Sequence, residues 1–439
     1  MHIKSLKVAN LRAIESAEFA FKPGFNLIVG VNGVGKSSVL DALRTCFSRI
    51  LPSITDSRSK PMAFAETDIR KGTPFLEVGV SVELGGGEFR FTRHERREAF
   101  ATDLPENVDV LRRKILETER LRDRKRTLLR ELESSQPARD SDSFDKTLAE
   151  RRKLAAASSS APNCIFFSTN RAVASYAAGA KAKAAGGKSA AYAEALAPRP
   201  MYLRYFADWM KAQLALSSEL DVAAQHLRVL EHAVVQFLPE YQHLRVEGDD
   251  EPRLVLDRNG VSLEVTQLSD GERGALGLVL DLARRLSIAN PSVDDPLASA
   301  ESVILIDEID LHLHPKWQRR IVRNLTATFP KCQVIATTHS PQVIGEVEHD
   351  RVQIIANGRV YSPSRSFGMD SSSVLEEIMD ADPRTAEVQK LLATLSTTIG
   401  KQEYERARNL LTDLAGHLGE SDPEVTRLTT LLDFMEGND

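Results

Sequence analysis

The stretch Gly30-Val31-Asn32-Gly33-Val34-Gly35-Lys36-Ser37 constrains this chain more than any other. It lies between an apolar run, Asn26-Leu27-Ile28-Val29, and a helical pattern, Ser38-Val39-Leu40-Asp41-Ala42-Leu43. A G-x-x-x-x-G-K-S loop between a strand and a helix predicts a cradle for a polyphosphate. Glycines let the backbone turn tightly, and without side chains its N–H groups face the anion. The helix starting near Lys36 aims its positive end at the same place. Lys36 would neutralise the β- and γ-phosphates of ATP, and the Ser37 hydroxyl would ligate Mg²⁺. Asn32, Gly33, Val34, Gly35 and Ser38 complete the expected nucleotide shell. A chance glycine turn is the bland alternative, and the strand-loop-helix order argues against it.

A second half of such a site is legible far downstream. Val303-Ile304-Leu305-Ile306 is an apolar strand ending in Asp307-Glu308. Beside a phosphate cradle, Asp307 would hold Mg²⁺ and Glu308 would orient or deprotonate the attacking water. The next apolar strand, Gln333-Val334-Ile335-Ala336, runs into Thr337-Thr338-His339, where His339 could donate to the γ-phosphate. His312 and His314 resemble a metal pair, but Pro315 and Trp317 point instead to packing and helix initiation. Ser269-Asp270-Gly271-Glu272 opens a helix with an apolar face through Leu276, Val279, Leu280, Ala283 and Leu286. Its Ser269 end is a second anion-binding terminus, with Gly271 and Glu272 beside it. One ATP cannot easily meet both ends within one head. The economical arrangement closes each Ser269 end on a partner's phosphate loop.

Taken in order, Ile3 to Val8 alternates like a half-buried strand, and Ala17 to Phe21 looks like its partner. Phe75–Leu84 and Glu88–Thr92 read as a hairpin turned by glycines. Residues 112–130 carry nine Lys or Arg against three acids, either a nucleic-acid contact or a solvated helix. No aromatic side chains interleave with those charges, which favours the solvated helix. The chain as a whole, with net charge −5, offers no dedicated polyanion-binding body. Residues 201–237 read as two helices, and three strands follow, with Asn259-Gly260 as a hairpin turn. The tail carries fourteen acids against six bases over 372–439, with three amphipathic helices marked by leucines. It reads as either a cap on the head or a docking module. The expected division is a first head lobe over 1–100, a helical arm or lid over 101–240, a second lobe over 241–365 and a helical tail over 366–439. The start has no signal-peptide core, no apolar run nears membrane length, and Cys46, Cys164 and Cys332 are isolated. A cytoplasmic protein without a membrane partner is expected.

The phosphate loop, the Leu268–Glu272 stretch, Asp307-Glu308 and His339 together resemble the motif set of ABC-type ATPase heads. The large insertion and Asn10-Leu11-Arg12 are similar to the RecF, SMC and OLD branch, a resemblance that implies that Arg12 reaches the nucleotide. It also implies an α/β fold: an ABC-type P-loop ATPase head, a mixed sheet with flanking helices, carrying an inserted arm and a helical tail. Phe166 to Arg171, Leu311 to Trp317 and the tail resemble prokaryotic defence ATPases of the Septu type, PtuA, also found with retrons. That resemblance implies an ATPase that dimerises or oligomerises around ATP and regulates an HNH-type nuclease subunit in anti-phage defence. A RecF-like DNA-maintenance ATPase is the alternative, with duplex DNA on the basic arm. Two departures stand out. Asp270 replaces a usual glycine, and no glutamine occurs before Gln136, which leaves Asp68 as a candidate substitute for the missing loop ligand. Both departures allow slow hydrolysis.

Overall fold

The protein is described by a computed structural model that covers all residues except 98–140, 172, 175–186, 357 and 438–439. The basic arm at 112–130 lies outside the described residues. The chain divides into two compact units, Met1–Asp370 and Ser371–Asp439.

The first unit is built on two main sheets. In one, β1 (His2–Leu11), β2 (Ile14–Ala20), β4 (Phe75–Leu84), β5 (Gly87–Arg96) and β6 (Ser141–Phe144) pair antiparallel in the order β2-β1-β4-β5-β6. The expected strict alternation of β1 is broken by a register shift between Ile3 and Ser5. That irregularity puts Ile3 and Leu6, three residues apart, into the same core. In the other sheet, β3 (Phe25–Val29), β7 (Asn163–Phe167), β13 (Ser302–Ile306), β14 (Gln333–Thr337), β15 (Val352–Ala356) and β16 (Arg359–Tyr361) follow the order β16-β15-β3-β14-β13-β7. All its pairs are parallel except the edge pair of β15 and β16. Every residue of β3, β7, β13 and β14 is buried, as expected for parallel strands covered on both faces.

Helix α1 (Lys36–Ile54) lies between the sheets and touches β4 and β5 on one side, β7 and β13 on the other. Val39, Leu43, Phe47 and Ile50 fill this core with Phe89 and Phe91 from one sheet and Val303 and Leu305 from the other. A fully buried side chain of this kind contributes about 1.5–3 kcal/mol, so the helix is fixed by its flanks and not by propensity. Two glutamine side chains stitch the sheets together. Gln333 Oε1 accepts from the Ile3 N–H at 2.6 Å, while its Nε2 donates to the carbonyls of Ile3 and Lys22 at 2.9 and 3.0 Å. Gln353 does the same to the N–H and carbonyl of Ala20.

Within residues 101–240, β6 and β7 join the two sheets, and α2 (Leu148–Ala157) packs on α1. The two-residue strands β8 (Val173–Ala174) and β9 (Met201–Tyr202) pair with each other. They lead to α3 (Leu203–Leu216) and α4 (Asp221–Phe237). A small sheet of β10 (Gln242–Glu247), β11 (Arg253–Arg258) and β12 (Val261–Glu264) comes next, with both Asn259 and Gly260 at positive φ in its turn. Helix α5 (Asp270–Ala289) lies against α4. Its buried Asp281 is ion-paired by Arg199, Arg284 and Arg285 at 2.8–3.0 Å, and Arg285 also donates to the carbonyls of Ala191 and Ala193. Burial works to raise the Asp281 pKa, but the three guanidinium groups win and hold it far below the usual carboxylate range. Helix α6 (Pro315–Thr328) begins at His314, whose Nδ1 accepts from the Lys316 N–H, the helix-initiating role expected of it.

The second unit is a three-helix assembly of α7 (Ala386–Gly400), α8 (Tyr404–Leu418) and α9 (Pro423–Glu436), preceded by a short helix at Ser371–Glu377. Leu395, Ile399, Ala407, Leu411, Leu414, Leu428 and Leu432 form its core. Leu431, one of the leucines of the last tail helix, is exposed.

Candidate nucleotide site

The phosphate loop joins β3 to α1 at the carboxyl ends of the parallel strands. Gly35 takes φ 109°, a left-handed value that favours glycine, and a Cβ on Gly30 would lie 2.7 Å from the Ile355 carbonyl oxygen. The next strand on one side of β3 is β14, and the one after it is β13, so their C-terminal residues arrive beside the loop. A cavity of about 280 Å³ results, lined by Asn32, Gly33, Gly35, Lys36 and Ser37 from the loop, with Asp307, Glu308 and His339 opposite. That volume suits a triphosphate tail with the rest of a nucleotide outside it.

Within the cavity, Lys36 Nζ donates to the Gly30 and Val31 carbonyls at 2.8 and 3.0 Å. Burial lowers its pKa, against the pull of Asp307, Glu308 and Asp310. Ser37 Oγ donates to Asp307 Oδ1 at 3.1 Å, and Thr337 Oγ1 donates to the same oxygen at 2.6 Å. Burial, and then the nearby Lys36 charge, push the His339 pKa below its ordinary value, so the imidazole is neutral at pH 7. Glu308 occupies φ 47°, a conformation that costs a non-glycine residue on the order of 1–3 kcal/mol and persists only when its surroundings impose it. Here the Thr337 hydroxyl accepts from the Glu308 N–H at 2.7 Å, and Arg171 Nη2 donates to the Glu308 carbonyl at 2.5 Å.

The remaining expected site residues lie elsewhere. Val34 is packed against the inter-sheet core. Ser38 is buried behind the loop and accepts from Arg12 Nη1 at 3.1 Å. Arg12 also pairs with Asp41 at 3.0 Å and Asp68 at 2.8 Å, outside the residues that line the cavity. Asp68 spends one oxygen on Arg12 and the other on the Ala65 N–H. Ser269 caps α5 in a reciprocal box: its hydroxyl accepts from the Glu272 N–H and donates to Glu272 Oε2, which also accepts from the Ser269 N–H. Glu272 is held in turn by Tyr241 and Arg258. Gly271 brings the α5 backbone so near the loop after Glu308 that a Cβ would meet the His312 carbonyl oxygen at 2.5 Å. None of Ser269, Gly271 and Glu272 lines the cavity within this chain.

Two polar residues matter here for which the sequence reading had no role. Thr337 and Arg171 grip the backbone and carboxylate of Asp307-Glu308 from opposite sides. The signal that could have found them is a run of polar residues following a buried strand: Ser168 to Arg171 after β7, Thr337-Thr338 at the end of β14.

Residues 25–345 match the family model described as "AAA domain, putative AbiEii toxin, Type IV TA system". Over 98% of this chain and 86% of the relative, the sequence is 27% identical to a protein of Escherichia coli named "Retron Ec83 probable ATPase". A "Septu protein PtuA" of Bacillus thuringiensis is 37% identical over 19% of this chain and 23% of that protein. Among solved structures, an SMC head domain from Thermotoga maritima aligns over 82% of this chain and 98% of its own, at 14% identity and a TM-score of 0.41.

Proposed function

The chain belongs to that AAA-domain family, and we propose that it is an ABC-type ATPase of the RecF/SMC branch whose heads close around ATP in pairs and thereby regulate a nuclease partner in anti-phage defence. The observation that carries this reading is the meeting of Lys36, Ser37, Asp307, Glu308 and His339, from three separate parts of the sequence, around one cavity. Lys36 binds the β- and γ-phosphates, for which it exchanges its bonds to the loop carbonyls. Ser37 and Asp307 would hold Mg²⁺; their oxygens lie 3.1 Å apart, an oxygen donor pair of the kind this ion takes. Held by those two residues, Mg²⁺ would neutralise charge on the transferring phosphoryl group. Glu308 accepts a proton from the attacking water, and neutral His339 donates to the γ-phosphate.

Ser269, Gly271 and Glu272 read the γ-phosphate of the opposing subunit, a role compatible with their lying outside this chain's own cavity lining. The Ser269 hydroxyl, now committed to its own cap, must turn to do so. The partner is an HNH-type nuclease subunit and the setting the cytoplasm, as the motif resemblance to Septu-type defence ATPases implies; a retron probable ATPase and a Septu PtuA among the relatives agree with that family reading. Among the described residues, no helix is long and apolar enough to cross a membrane.

Glu308→Gln keeps the shape of the site and removes its base. Light scattering with MgATP should show this variant accumulating in the assembled form, where the wild type returns to the smaller species. A variant whose size is unaffected by ATP removes the pairing from the account.

A further inference from the structure

Where β7 ends, the sheet stops but the hydrogen bonding does not. The last ladder contact is the Asp307 N–H donating to the Phe167 carbonyl at 2.8 Å. The chain then turns through Ser168–Arg171, with the Arg171 N–H donating to the Ser168 carbonyl at 3.1 Å. That turn carries the Arg171 guanidinium back beneath the end of β13. Nη1 donates to the Asp307 and Ser168 carbonyls, and Nη2 to the Glu308 carbonyl. The planar fork continues the ladder past the point where strand pairing ends.

We infer that Arg171 is a positioning residue for ATP hydrolysis, fixing the backbone of Glu308 so that its carboxylate faces the cavity. This rests on the assignment of Glu308 as the base. Three observations support it. Arg171 is only 6% exposed and does not line the cavity, so it touches neither nucleotide nor solvent in quantity. Glu308 sits at positive φ, and Arg171 and Thr337 between them occupy its carbonyl and its N–H. Its two terminal nitrogens are committed to three backbone carbonyls, those of Ser168, Asp307 and Glu308, which ties the turn after β7 to the end of β13. Lysine carries its donors on one freely rotating nitrogen and lacks the planar fork that reaches these carbonyls from two nitrogens at once.

The test uses the full chain as wild type, Arg171→Lys, Arg171→Met and Glu308→Gln, measuring MgATP affinity, KM and kcat. Misplacing a reacting group by about 1 Å costs on the order of 100-fold, so Arg171→Met should lose roughly that in kcat with affinity and KM within about threefold of wild type. Arg171→Lys keeps the charge and should fall between the two. If Arg171→Met does not fold, Arg171→Lys decides: a kcat loss of about tenfold at unchanged KM supports the inference, and wild-type kcat overturns it. Affinity falling as far as kcat also overturns it, since that marks general damage to the site. Glu308→Gln separates the two readings. If it is inactive while both Arg171 variants turn over normally, only the role of Arg171 fails; if it turns over normally itself, the assignment of Glu308 fails and takes this inference with it.

Discussion

At the residue scale, the cavity is held by side chains that compete for one another before any ligand arrives. Lys36 is turned onto its own loop, and Asp307 receives two hydroxyl protons. The protonation of half-buried His339 and buried His226 gives this a measurable consequence. Burial lowers the pKa of both His339 and His226 below the ordinary 6.5. The unfolded chain therefore binds protons at a higher pH than the folded one, and stability falls as pH drops below 6.5 toward the lowered values. The ligand-free protein should melt at a lower temperature at pH 5.5 than at pH 7.5 by calorimetry, and His226→Gln should flatten part of that slope. A slope of the opposite sign would show that these groups are protonated when folded. The cavity residues themselves were legible in the sequence, because glycine, lysine and paired acids at these places have few other uses. Arg171 was not, because its role depends on β7 lying next to β13, and residues 163–171 are more than 130 positions from Asp307 in the chain.

At the element scale, sequence reasoning did well where one face is buried and poorly where a helix is buried all round. The leucines of α5 follow their expected stripe, but Asp281, Arg284 and Arg285 look like a solvated face and are buried instead. They are tolerable inside because Asp281 pairs with both guanidinium groups and Arg285 also donates to the carbonyls of Ala191 and Ala193, a partner segment that periodicity cannot reveal. The start of the same helix offers a clean separation of effects. Replacing a Ser cap by Ala costs about 1 kcal/mol, and by Gly only a few tenths. Ser269→Gly should therefore leave the melting temperature close to wild type while removing the concentration dependence of ATP turnover expected if Ser269 serves a partner's nucleotide. Turnover that keeps its dependence on protein concentration in Ser269→Gly would leave this serine as a cap alone. Tail helix α9 was legible to its first residue: Asp422 accepts from the Glu424 N–H at 2.9 Å ahead of Pro423, as the Asp-Pro-Glu order predicts.

At the scale of the whole molecule, every residue that lines the cavity belongs to the unit Met1–Asp370. A chain ending at Asp370 should bind MgATP within about threefold of the full protein by calorimetry, a difference of less than about 1 kcal/mol. Loss of binding would tie the tail to the site. The head architecture was readable from motif order, because the phosphate loop, Asp307-Glu308 and His339 each follow a parallel strand. What motif order could not supply is how the head's two sheets are joined, since β14 reads as a plain apolar strand apart from its Gln333. Gln333 and Gln353 make that join with groups that give and accept a proton at once. A carboxylate in either place would only accept, and would set oxygen against the carbonyls of Ile3, Lys22 or Ala20. A head that loses one of these amide nitrogens, by a changed codon or by slow hydrolytic ageing, weakens along its seam while every nucleotide-facing group is still intact.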